Sequence, residues 1–541
     1  MIYRILAALF SGILLALCYA PFDQAWLVWV WLLPLLTALW KPGIGFWKGF
    51  LLGWVFGLIY LGSSHWWMNE VHPAAVPLVV SYMALYPAFW AGIAAGPLRM
   101  PWTKLLSESH QGRRLWLDGL VRLLLLAGLW AGLEWIRGYG WSGYGWNYIG
   151  VPLLAFPNLV QVSEVTGCNG LAFFVITIGG LLWLALTRGY LARKNKSAFP
   201  LGEIIALLLV SGGFWIWGNQ LMPAPTKDGE GKRLRVALIQ TNITLEDKRN
   251  SEKWADLYQQ LHEMTERVIY SEPVDLIVWP ESALPVYYQH PENAWFLNHL
   301  LWQTPANLLI GTDLFDRWTD KDKEPEEAYV GAALLRGDVS TAKFYRKNHL
   351  VPFGEFLPWR KTLPFLESWV GSLIPGDFQR GTVFDPLMMD NLGISIIPLV
   401  CFEDTVPELA RQFVRQEPQV LVNITNDNWF KKSIAVRIHF NNARFRAIEL
   451  RRPLIRCTNT GVTSIVDTSG KVVKELVDEK TGKTFLEGIL YGTVVIPPVA
   501  PPTFYARFGD LFSIVLLIMA GVGTLGIGIA NRIIHRLRGL R

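Results

Sequence analysis

Three reactive side chains follow or interrupt apolar runs of the chain. Glu281 follows the run V-W-P, Lys347 lies in the segment Y-R-K-N-H-L-V-P-F-G-E, and Cys401 follows I-P-L-V. A carboxylate can remove the proton of a thiol, and the thiolate then attacks a carbonyl carbon. A nearby ammonium group can stabilise the oxyanion that forms. Together the three residues could perform acyl transfer through a covalent thioester.

Each of these residues also has an ordinary structural interpretation. Glu281 could cap a helix or lie in a solvated turn, Lys347 could belong to a charged surface loop, and a free cysteine is usually a small core hydrophobe. Cys401 is distinguished by its position between an apolar strand and a predicted helix, because a helix N-terminus and a nearby lysine both lower the pKa of a thiol. The order of the residues along the chain leaves open whether they meet in space.

The remaining cysteines, Cys18, Cys168 and Cys457, have no comparable setting. Cys457 lies within the strand-like run Leu454–Thr458, and no two cysteines have the C-x-x-C spacing of a metal site. The sequence therefore implies neither a metal ion nor an organic cofactor.

The segment 222–505 contains the elements that must position these residues. Its predicted buried strands are Leu234–Ile239, Leu276–Trp279, Leu308–Ile310, Ile394–Val400, Val420–Ile424 and Leu454–Arg456, and its predicted helices lie at about 251–270, 406–415 and 434–451. Alternating strands and helices favour an α/β domain of layered sheets and helices. Catalytic groups in such folds often lie where a strand ends.

The rest of the chain has the composition of a membrane protein. Hydrophobic residues make up 51% of its 541 residues, and charged residues make up 17%, below the roughly 25% of soluble domains. The predicted spans lie at about 5–20, 24–40, 45–63, 76–96, 115–135, 170–187, 203–221 and 511–530. The first two are short and are separated by Pro21, so they could form one hairpin or two tilted spans. The first could instead be a cleaved signal peptide.

The basic residues predict the orientation of these spans. Lys and Arg are concentrated in one set of predicted loops and at the C-terminus, whereas the short loops of the other set contain only Arg137. The positive-inside rule places the first set and both termini in the cytoplasm. The predicted domains are a membrane domain of about seven helices at 1–221, an extracytoplasmic catalytic domain at 222–505, and a final helix with a basic tail at 506–541. Topology explains the net charge of +6 better than nucleic-acid binding does.

The order W-P-E, Y-x-K-x-x-L-V-P-F-G-E and C-F-E resembles the carbon–nitrogen hydrolase, or nitrilase, superfamily. The closer resemblance is to its membrane-embedded branch, the apolipoprotein N-acyltransferases. Further matching motifs are A-P-F at 20–22, E-W-I-R-G at 134–138, G-W at 145–146, T-N-D-N-W-F at 425–430, and R-A-I-E, R-P and T-N-T-G within 446–461. The resemblance therefore covers nearly the whole chain.

This resemblance implies roles for individual residues. Glu281 is expected to be the general base, Lys347 the triad lysine and Cys401 the nucleophile. The expected supporting or substrate-binding residues are Glu355, Phe402, Glu403, Trp254, Trp146, Asn426 and Trp429. Asn428 departs from the smaller residue that the family usually has in its T-N-D-x-W-F loop.

The resemblance also implies a fold and a reaction. The fold is a multi-pass α-helical membrane domain of about eight spans joined to an α/β sandwich of the nitrilase type, with α-β-β-α layers. Cys401 takes an acyl chain from the sn-1 position of a phospholipid, typically phosphatidylethanolamine. The N-terminal amine of diacylglyceryl-cysteine on an apolipoprotein then takes the chain from the thioester, which yields a triacylated lipoprotein. Such an enzyme lies in the bacterial cytoplasmic (inner) membrane, its catalytic domain is periplasmic, and it needs no cofactor or nucleic acid.

Two other functions remain open. A membrane-tethered amidase would carry the same triad and would use water as its second nucleophile, and a scaffold or transporter could retain an inactive hydrolase domain. Eight spans are more than a tether needs, and the complete set of Glu281, Lys347 and Cys401 argues against the scaffold. The segment Phe356–Asp377 is rich in aromatic and aliphatic residues, so it could act as a lid that gates lipid entry.

Overall fold

The computed structural model describes residues 1–100, 112–140, 143–195, 199–226, 229–317, 327–363, 377–498 and 501–539. The chain forms two compact units, one of Met1–Met222 with Phe508–Arg541 and the other of Pro223–Arg507. The first unit is built from apolar helices, and the second combines two β-sheets with helices. Most of the predicted lid falls at 364–376, outside the described residues.

The first unit begins with nine helices among the described residues. They are α1 (Ile2–Ala16), α2 (Leu32–Trp40), α3 (Phe46–His65), α4 (Ala75–Met83), α5 (Leu85–Ala95), α6 (Gly112–Tyr139), α7 (Pro157–Val160), α8 (Ser163–Asn195) and α9 (Leu201–Gln220). The C-terminal helix Leu511–Gly539 completes the unit.

Six helical stretches of the described residues are long and apolar enough to cross a membrane. They are Phe46–Glu70, Ala75–Ala95, Trp116–Tyr139, Ser163–Lys194, Leu201–Gln220 and Leu511–Ile533. The shorter apolar stretches Ile2–Ala16 and Ala25–Trp40 coincide with the two short spans predicted at the start of the chain. The predicted multi-pass helical architecture is therefore confirmed, with about eight spans when the two short helices are included.

Small residues bring α3 and α5 together. A Cβ atom added to Gly53 on α3 would lie 2.5 Å from the Cβ atom of Ala91 and 2.5 Å from the carbonyl oxygen of Pro87, both on α5. No side chain fits in that space. Close backbone approach of this kind is how helices pack in membranes, where lipid is as apolar as the side chains.

The second unit contains twelve strands among its described residues, in two six-stranded sheets. They are β1 (Lys232–Gln240), β2 (Leu276–Val278), β3 (Asn307–Phe315), β4 (Ala328–Arg336), β5 (Asp338–Arg346), β6 (Leu387–Met389), β7 (Ile394–Val400), β8 (Gln419–Thr425), β9 (Leu454–Thr458), β10 (Ser464–Val466), β11 (Val472–Glu475) and β12 (Gly488–Ile496). The strand orders are β12-β1-β2-β3-β4-β5 and β11-β10-β9-β8-β7-β6. In each sheet three parallel strands, β1–β3 or β7–β9, are flanked by antiparallel strands.

Helices cover the outer faces of the two sheets. The helices of this unit are α10 (Leu245–Arg249), α11 (Trp254–Ser271), α12 (Pro291–Leu301), α13 (Pro407–Arg411), α14 (Ala435–Leu450) and α15 (Phe504–Phe508). On one side, Leu261 and Met264 of α11 and Leu297 of α12 pack into a buried core with Ile277 of β2. On the other side, α14 packs against β9.

The inner faces of the two sheets pack against each other. The thiol of Cys457 on β9 donates to the carbonyl oxygens of Ile239 on β1 and Val278 on β2, each at 3.3 Å. Cys457 is therefore a buried structural residue at the junction of the sheets. The layers follow the order α-β-β-α, and the predicted nitrilase-type sandwich is confirmed.

Candidate active site

Cys401 lies directly after the fully buried strand β7 and begins a short 3₁₀ turn, Cys401–Thr405. Its φ angle is +52°, in the left-handed region that L-residues other than glycine rarely adopt. The side-chain amide of Asn423 on β8 donates to the carbonyl oxygens of Leu399 at 3.3 Å and Cys401 at 3.1 Å. These bonds hold the sharp turn that ends β7 at Cys401.

Glu281 lies beyond the end of β2 and is only 7% exposed. One carboxylate oxygen accepts the backbone N–H of Asn426 at 2.8 Å. The other oxygen lies 3.7 Å from the ammonium nitrogen of Lys347. The carboxylate is thereby fixed between the loop that follows β8 and the lysine that follows β5.

Lys347 is fully buried and lies between two carboxylates. Its Nζ atom is 2.5 Å from Oε1 of Glu355, in addition to its contact with Glu281. The second oxygen of Glu355 accepts the N–H of Val351 at 2.9 Å. Burial opposes the charge of Lys347, but Glu355 and Glu281 outweigh it and raise the lysine pKa, so the side chain stays an ammonium ion.

Glu403 ties the loop after β5 to the loop after β7. Its oxygens accept the hydroxyl of Tyr345 at 2.8 and 2.9 Å and the N–H groups of Asn348 at 2.7 Å, His349 at 2.9 Å and Val400 at 2.8 Å. Burial raises the pKa of Glu403 to about 7, although Lys347 and the backbone donors oppose this rise. Because these two loops carry Lys347 and Cys401, Glu403 fixes two of the three residues predicted to form the triad.

The charges of both Glu281 and Lys347 act on the thiol of Cys401. Burial and the charge of Glu281 raise the pKa of the Cys401 thiol well above its ordinary value, and Lys347 only partly offsets them. The sequence-based expectation of a lowered thiol pKa is therefore wrong. Cys401 follows a buried strand and begins a turn of five residues, so its desolvation outweighs the nearby lysine.

A protonated thiol needs a base, and Glu281 is suited to that role. Burial raises the pKa of Glu281 above its ordinary value, although Lys347 opposes the change. A carboxylate with a raised pKa is a stronger base than an exposed one. The arrangement can therefore move a proton from Cys401 to Glu281 beside a fixed cation.

The structure also places the other residues that the sequence predicts to support the site. Phe402, whose ring centre is 5.9 Å from that of His349, and Asn426, whose N–H reaches Glu281, lie at the triad. Trp254 begins α11 and donates its indole N–H to the Lys248 carbonyl at 3.1 Å.

The remaining two predicted tryptophans have partners of their own. Trp429 follows Asn426 by three residues, is 42% exposed, and has the guanidinium of Arg249 at 5.8 Å from its ring centre. Trp146 is buried in the helical unit, where its ring lies 4.9 Å from that of Trp67.

A buried charge network beneath the site is absent from the sequence-based prediction. His439 on α14 contacts Asp404 through Nε2 at 2.8 Å and Asp427 through Nδ1 at 2.9 Å. Arg456 on β9 pairs with Asp404 and, at 3.1 Å, with Asp427. Thr425 donates to Asp427 at 3.2 Å, and its hydroxyl opposes the rise in the pKa of the Cys401 thiol. The network thus joins the loop that begins at Cys401 to the loop that contacts Glu281.

Two signals in the sequence point to this network. Asp404 and Asp427 directly follow the matched segments C-F-E and T-N, and Arg456 interrupts an otherwise apolar strand. A charged residue in a buried strand requires a partner. The identity of that partner depends on contacts between distant parts of the chain, so the sequence alone does not give it.

Lys248 on α10 is a further cation beside the site. Its ammonium group donates to the carbonyl oxygen of Ser282, the residue after Glu281. Burial lowers the pKa of Lys248, and the charges of Asp313 and Glu281 oppose that change. The base of the triad therefore lies in the field of two lysines.

A separate group of side chains could hold a metal ion. His262 and Glu266 on α11 and His299 on α12 have ligand atoms within 4.8 Å of one another. The group lies on the helical layer, whereas the triad lies at the strand ends. Glu281 and Glu355 are instead engaged by Lys347 and backbone N–H groups, which suit a carboxylate base rather than a metal ligand.

Comparisons with known proteins match both units. Residues 235–497 match the carbon-nitrogen hydrolase family, and residues 11–181 match the apolipoprotein N-acyltransferase N-terminal domain. A solved carbon-nitrogen hydrolase from Helicobacter pylori, 16% identical, aligns with 48% of this chain and 88% of its own, with a TM-score of 0.33.

Curated relatives named apolipoprotein N-acyltransferase match almost the whole chain. The protein of Geobacter metallireducens is 32% identical over 94% of this chain and 92% of its own. The protein of Pseudomonas aeruginosa is 32% identical over 96% and 95%, and that of Methylococcus capsulatus is 31% identical over 97% and 96%. The resemblance found in the sequence is confirmed, and the chain belongs to the apolipoprotein N-acyltransferase family.

Proposed function

We propose that this protein moves an acyl chain from a membrane phospholipid to the N-terminal amine of an apolipoprotein, through a thioester on Cys401. Family membership supports lipoprotein N-acylation in a bacterial membrane. The observation that carries the chemical proposal is the buried set of Glu281, Lys347 and Cys401, in which a protonated thiol meets a base and a fixed cation.

In the first step, Glu281 takes the thiol proton while the sulfur of Cys401 attacks the ester carbonyl of the phospholipid. The ammonium group of Lys347 stabilises the negative charge that develops on the carbonyl oxygen. The carbon–oxygen bond of the ester then breaks, and the lysophospholipid leaves with the proton that Glu281 returns. The products of this step are an acyl-thioester on Cys401 and a lysophospholipid.

In the second step, the α-amine of diacylglyceryl-cysteine on the apolipoprotein attacks the thioester. Glu281 takes a proton from the attacking nitrogen, the carbon–sulfur bond breaks, and the proton passes to the departing thiolate. The products are an amide-linked acyl chain on the lipoprotein and the resting enzyme. Burial of the site supports this two-step reaction, because a thioester exposed to water would be hydrolysed before the amine arrived.

We assign supporting roles to residues around the triad. Glu355 holds Lys347, and Glu403 holds the two loops that carry the lysine and the cysteine. Phe402 and Asn426 shape the immediate surroundings of the nucleophile and the base. Trp254, Trp429 and Trp146 are proposed to contact substrate or the segments that admit it.

The proposed reaction also specifies a topology. Both substrates are lipids, and exposing an acyl chain to water costs about 0.8 kcal/mol per CH₂ group, so the reaction belongs at the bilayer. We propose a membrane domain at 1–221, a periplasmic catalytic domain at 222–505, and a C-terminal helix at 506–541, with both termini in the cytoplasm.

The deciding experiment measures the intact mass of the full-length protein in detergent with phosphatidylethanolamine as its only substrate. A long-chain adduct that hydroxylamine removes is expected on the native protein and on the control Cys457→Ala, and none is expected on Cys401→Ala. If no adduct forms but a small amide is hydrolysed, the protein is a tethered amidase and the proposal is wrong. If folded protein does neither, the scaffold function replaces it.

A further inference from the structure

Two neighbouring helices of the second unit bring two imidazoles and a carboxylate together. His262 and Glu266 lie one turn apart on α11, so their side chains share one face of that helix. His299 lies on α12, and the ligand atoms of the three residues are all within 4.8 Å of one another. The three side chains have no role in the proposed acyl transfer, so the cluster is separate from the triad.

The distances within this cluster suit a shared metal ion. Nε2 of His262 lies 3.5 Å from Oε1 of Glu266. Two ligands bound at about 2.1 Å in a tetrahedral arrangement lie about 3.4 Å apart, so this pair already has the required separation. The third ligand atom lies within 4.8 Å of the other two, so a small rotation of the exposed His299 side chain completes the set.

The two helices that carry the cluster are fixed to each other on both sides of it. Tyr258 of α11 donates to Oδ1 of Asn293 at 2.5 Å on one side, and Tyr270 donates to Oε1 of Gln303 at 2.8 Å on the other. Ligands on rigid helices are placed more precisely than ligands on loops. The framework therefore holds the three side chains near one another before any ion binds.

Aromatic rings orient both imidazoles. The ring of His299 stacks on that of Trp295, with centres 5.6 Å apart and planes at 6°. The ring of His262 lies 6.4 Å from that of Phe296. Nδ1 of His262 is buried without a hydrogen-bond partner in the described part of the chain, and Nε2 only approaches the glutamate at 3.5 Å. Packing thus orients the His262 imidazole, whereas no hydrogen bond within the described residues occupies its nitrogens.

His290, just before α12, provides the contrast. Its Nδ1 lies 3.9 Å from Oε2 of Glu292 and also has no hydrogen-bond partner among the residues described. This pair has an imidazole and a carboxylate, as the cluster does, but no further histidine, cysteine or carboxylate of the described residues completes a metal-ligand group with it. The second imidazole, contributed by another helix, is what distinguishes the cluster on α11 and α12.

We propose that His262, Glu266 and His299 bind a divalent transition-metal ion, Zn²⁺ in the first instance, which fixes α12 to α11. Imidazole and carboxylate ligands suit zinc, and a site with three protein ligands keeps a fourth position for water. His299 is exposed and the other two side chains are half-buried, so the ion enters from solvent. The inference goes beyond the proposed transfer reaction, because this binding needs no chemistry at Cys401.

The test titrates Zn²⁺ into the full-length Cys401→Ala protein in detergent, purified without a polyhistidine tag, in competition with a chromogenic zinc indicator. The Cys401→Ala background removes the thiol of the triad as an alternative ligand. The parent is expected to take one equivalent of zinc from the indicator. His262→Gln and His299→Gln should each lower the affinity by at least about tenfold, because losing even an outer partner of a metal site costs about 10–100-fold. His290→Gln is the matched control and should bind zinc as the parent does.

Thermal unfolding with and without zinc provides a second measurement. An ion that binds only the folded chain stabilises it, so zinc should raise the melting temperature of the parent and of His290→Gln but not that of His299→Gln. A parent that takes no zinc from the indicator would overturn the inference without requiring any variant to fold. Binding that survives both His262→Gln and His299→Gln in folded protein would also overturn it, because the ion would then lie elsewhere. Neither result bears on the acyl transfer, which the mass measurement tests separately.

Discussion

At the scale of single residues, the chemistry of the site depends on the protonation of Cys401, Glu281 and Lys347. Burial raises the pKa of both Cys401 and Glu281, so the thiol holds its proton more firmly and the ionised carboxylate is a stronger base. Lys347 is held as a cation by its two carboxylate partners. The lysine therefore meets the negative charge of an attacked carbonyl already protonated, and the proposed proton transfer takes place between Cys401 and Glu281.

Replacing Glu281 with glutamine tests its proposed role as a base, because glutamine has nearly the same shape but cannot take the thiol proton. Glu281→Gln keeps an oxygen for the N–H of Asn426 but cannot take the thiol proton. General-base catalysis contributes about 10²–10⁴-fold, so thioester formation should slow by that factor, as measured by the rate of adduct formation. The exposed Glu246→Gln provides the control. A Glu281→Gln protein that acylates at the native rate would remove Glu281 from the mechanism.

The same residue predicts the pH dependence of acylation. Glu281 is a base only when ionised, so the rate should be low below its raised pKa and should increase as the pH rises through that pKa. In Glu281→Gln this increase should disappear. Rates of adduct formation across a pH series on both proteins test the assignment. An increase of equal size in the variant would assign the titration to another group.

Glu403 is expected to position the loops of Lys347 and Cys401 rather than to exchange a proton. Its two oxygens serve four donors, and the amide of Glu403→Gln would direct N–H groups at donors that need an acceptor. The free energy of unfolding should fall by about 1–3 kcal/mol, the cost of a buried unsatisfied group. Thermal unfolding measures this, and acylation should weaken because the loops of Lys347 and Cys401 loosen. Full stability with lost activity would instead indicate contact with substrate.

At the scale of elements, the two central strands that end near the nucleophile are held by buried charges. Asp404 after β7 and Asp427 after β8 both contact His439 of α14 and Arg456 of β9. Burial opposes a charge on His439, but Asp404 and Asp427 outweigh it and raise its pKa to about 9. The helix is thus fixed to the strand ends by a protonated imidazole.

The raised pKa of His439 makes stability depend on pH. The folded value of about 9 exceeds the ordinary 6.5, so the stabilisation is complete below 6.5 and is lost as the pH rises through about 9. His439→Gln should lower the free energy of unfolding by about 3–5 kcal/mol, the cost of breaking a buried ionic pair, and should weaken this pH dependence. Thermal unfolding at several pH values tests both. His290→Gln, a partly exposed histidine, is the control.

The sequence predicts the central strands better than the outer ones, and the reason is burial. β7 was predicted with its observed bounds because all seven of its residues are buried and apolar or small. β5, β11 and β12 are half exposed, so their apolar periodicity is weak. β4 is buried but rich in Ala and Gly, which have low strand propensity.

At the site too, the sequence predicts features that depend on neighbouring residues better than those that depend on residues distant in the chain. Glu281, Lys347 and Cys401 stand out because each lies in a recognisable segment beside a strand end. The contacts of His439 with Asp404 and Asp427 join residues 35 and 12 positions apart in the chain. The raised pKa of the Cys401 thiol also depends on burial in the folded site. The sequence-based expectation considered only the neighbouring helix N-terminus and a nearby lysine, so it did not include this burial.

At the scale of the whole molecule, the proposed transfer between lipids requires that the catalytic unit lie on one defined side of the membrane. The basic loops and the basic C-terminus predict, through the positive-inside rule, that this side is the periplasm. All four native cysteines are buried. A cysteine introduced at an exposed position should therefore be the main target of a membrane-impermeant maleimide, even in the otherwise native protein.

Two such positions test the proposed orientation. Tyr270 is 72% exposed in the catalytic unit, and Lys48 is exposed near the start of α3, in a predicted cytoplasmic loop. In intact spheroplasts, Tyr270→Cys should be labelled, whereas Lys48→Cys should be labelled only after the membrane is opened. The native protein measures background labelling. The opposite pattern would place the catalytic unit in the cytoplasm, away from the outer-leaflet lipids and exported lipoproteins that the proposed reaction joins.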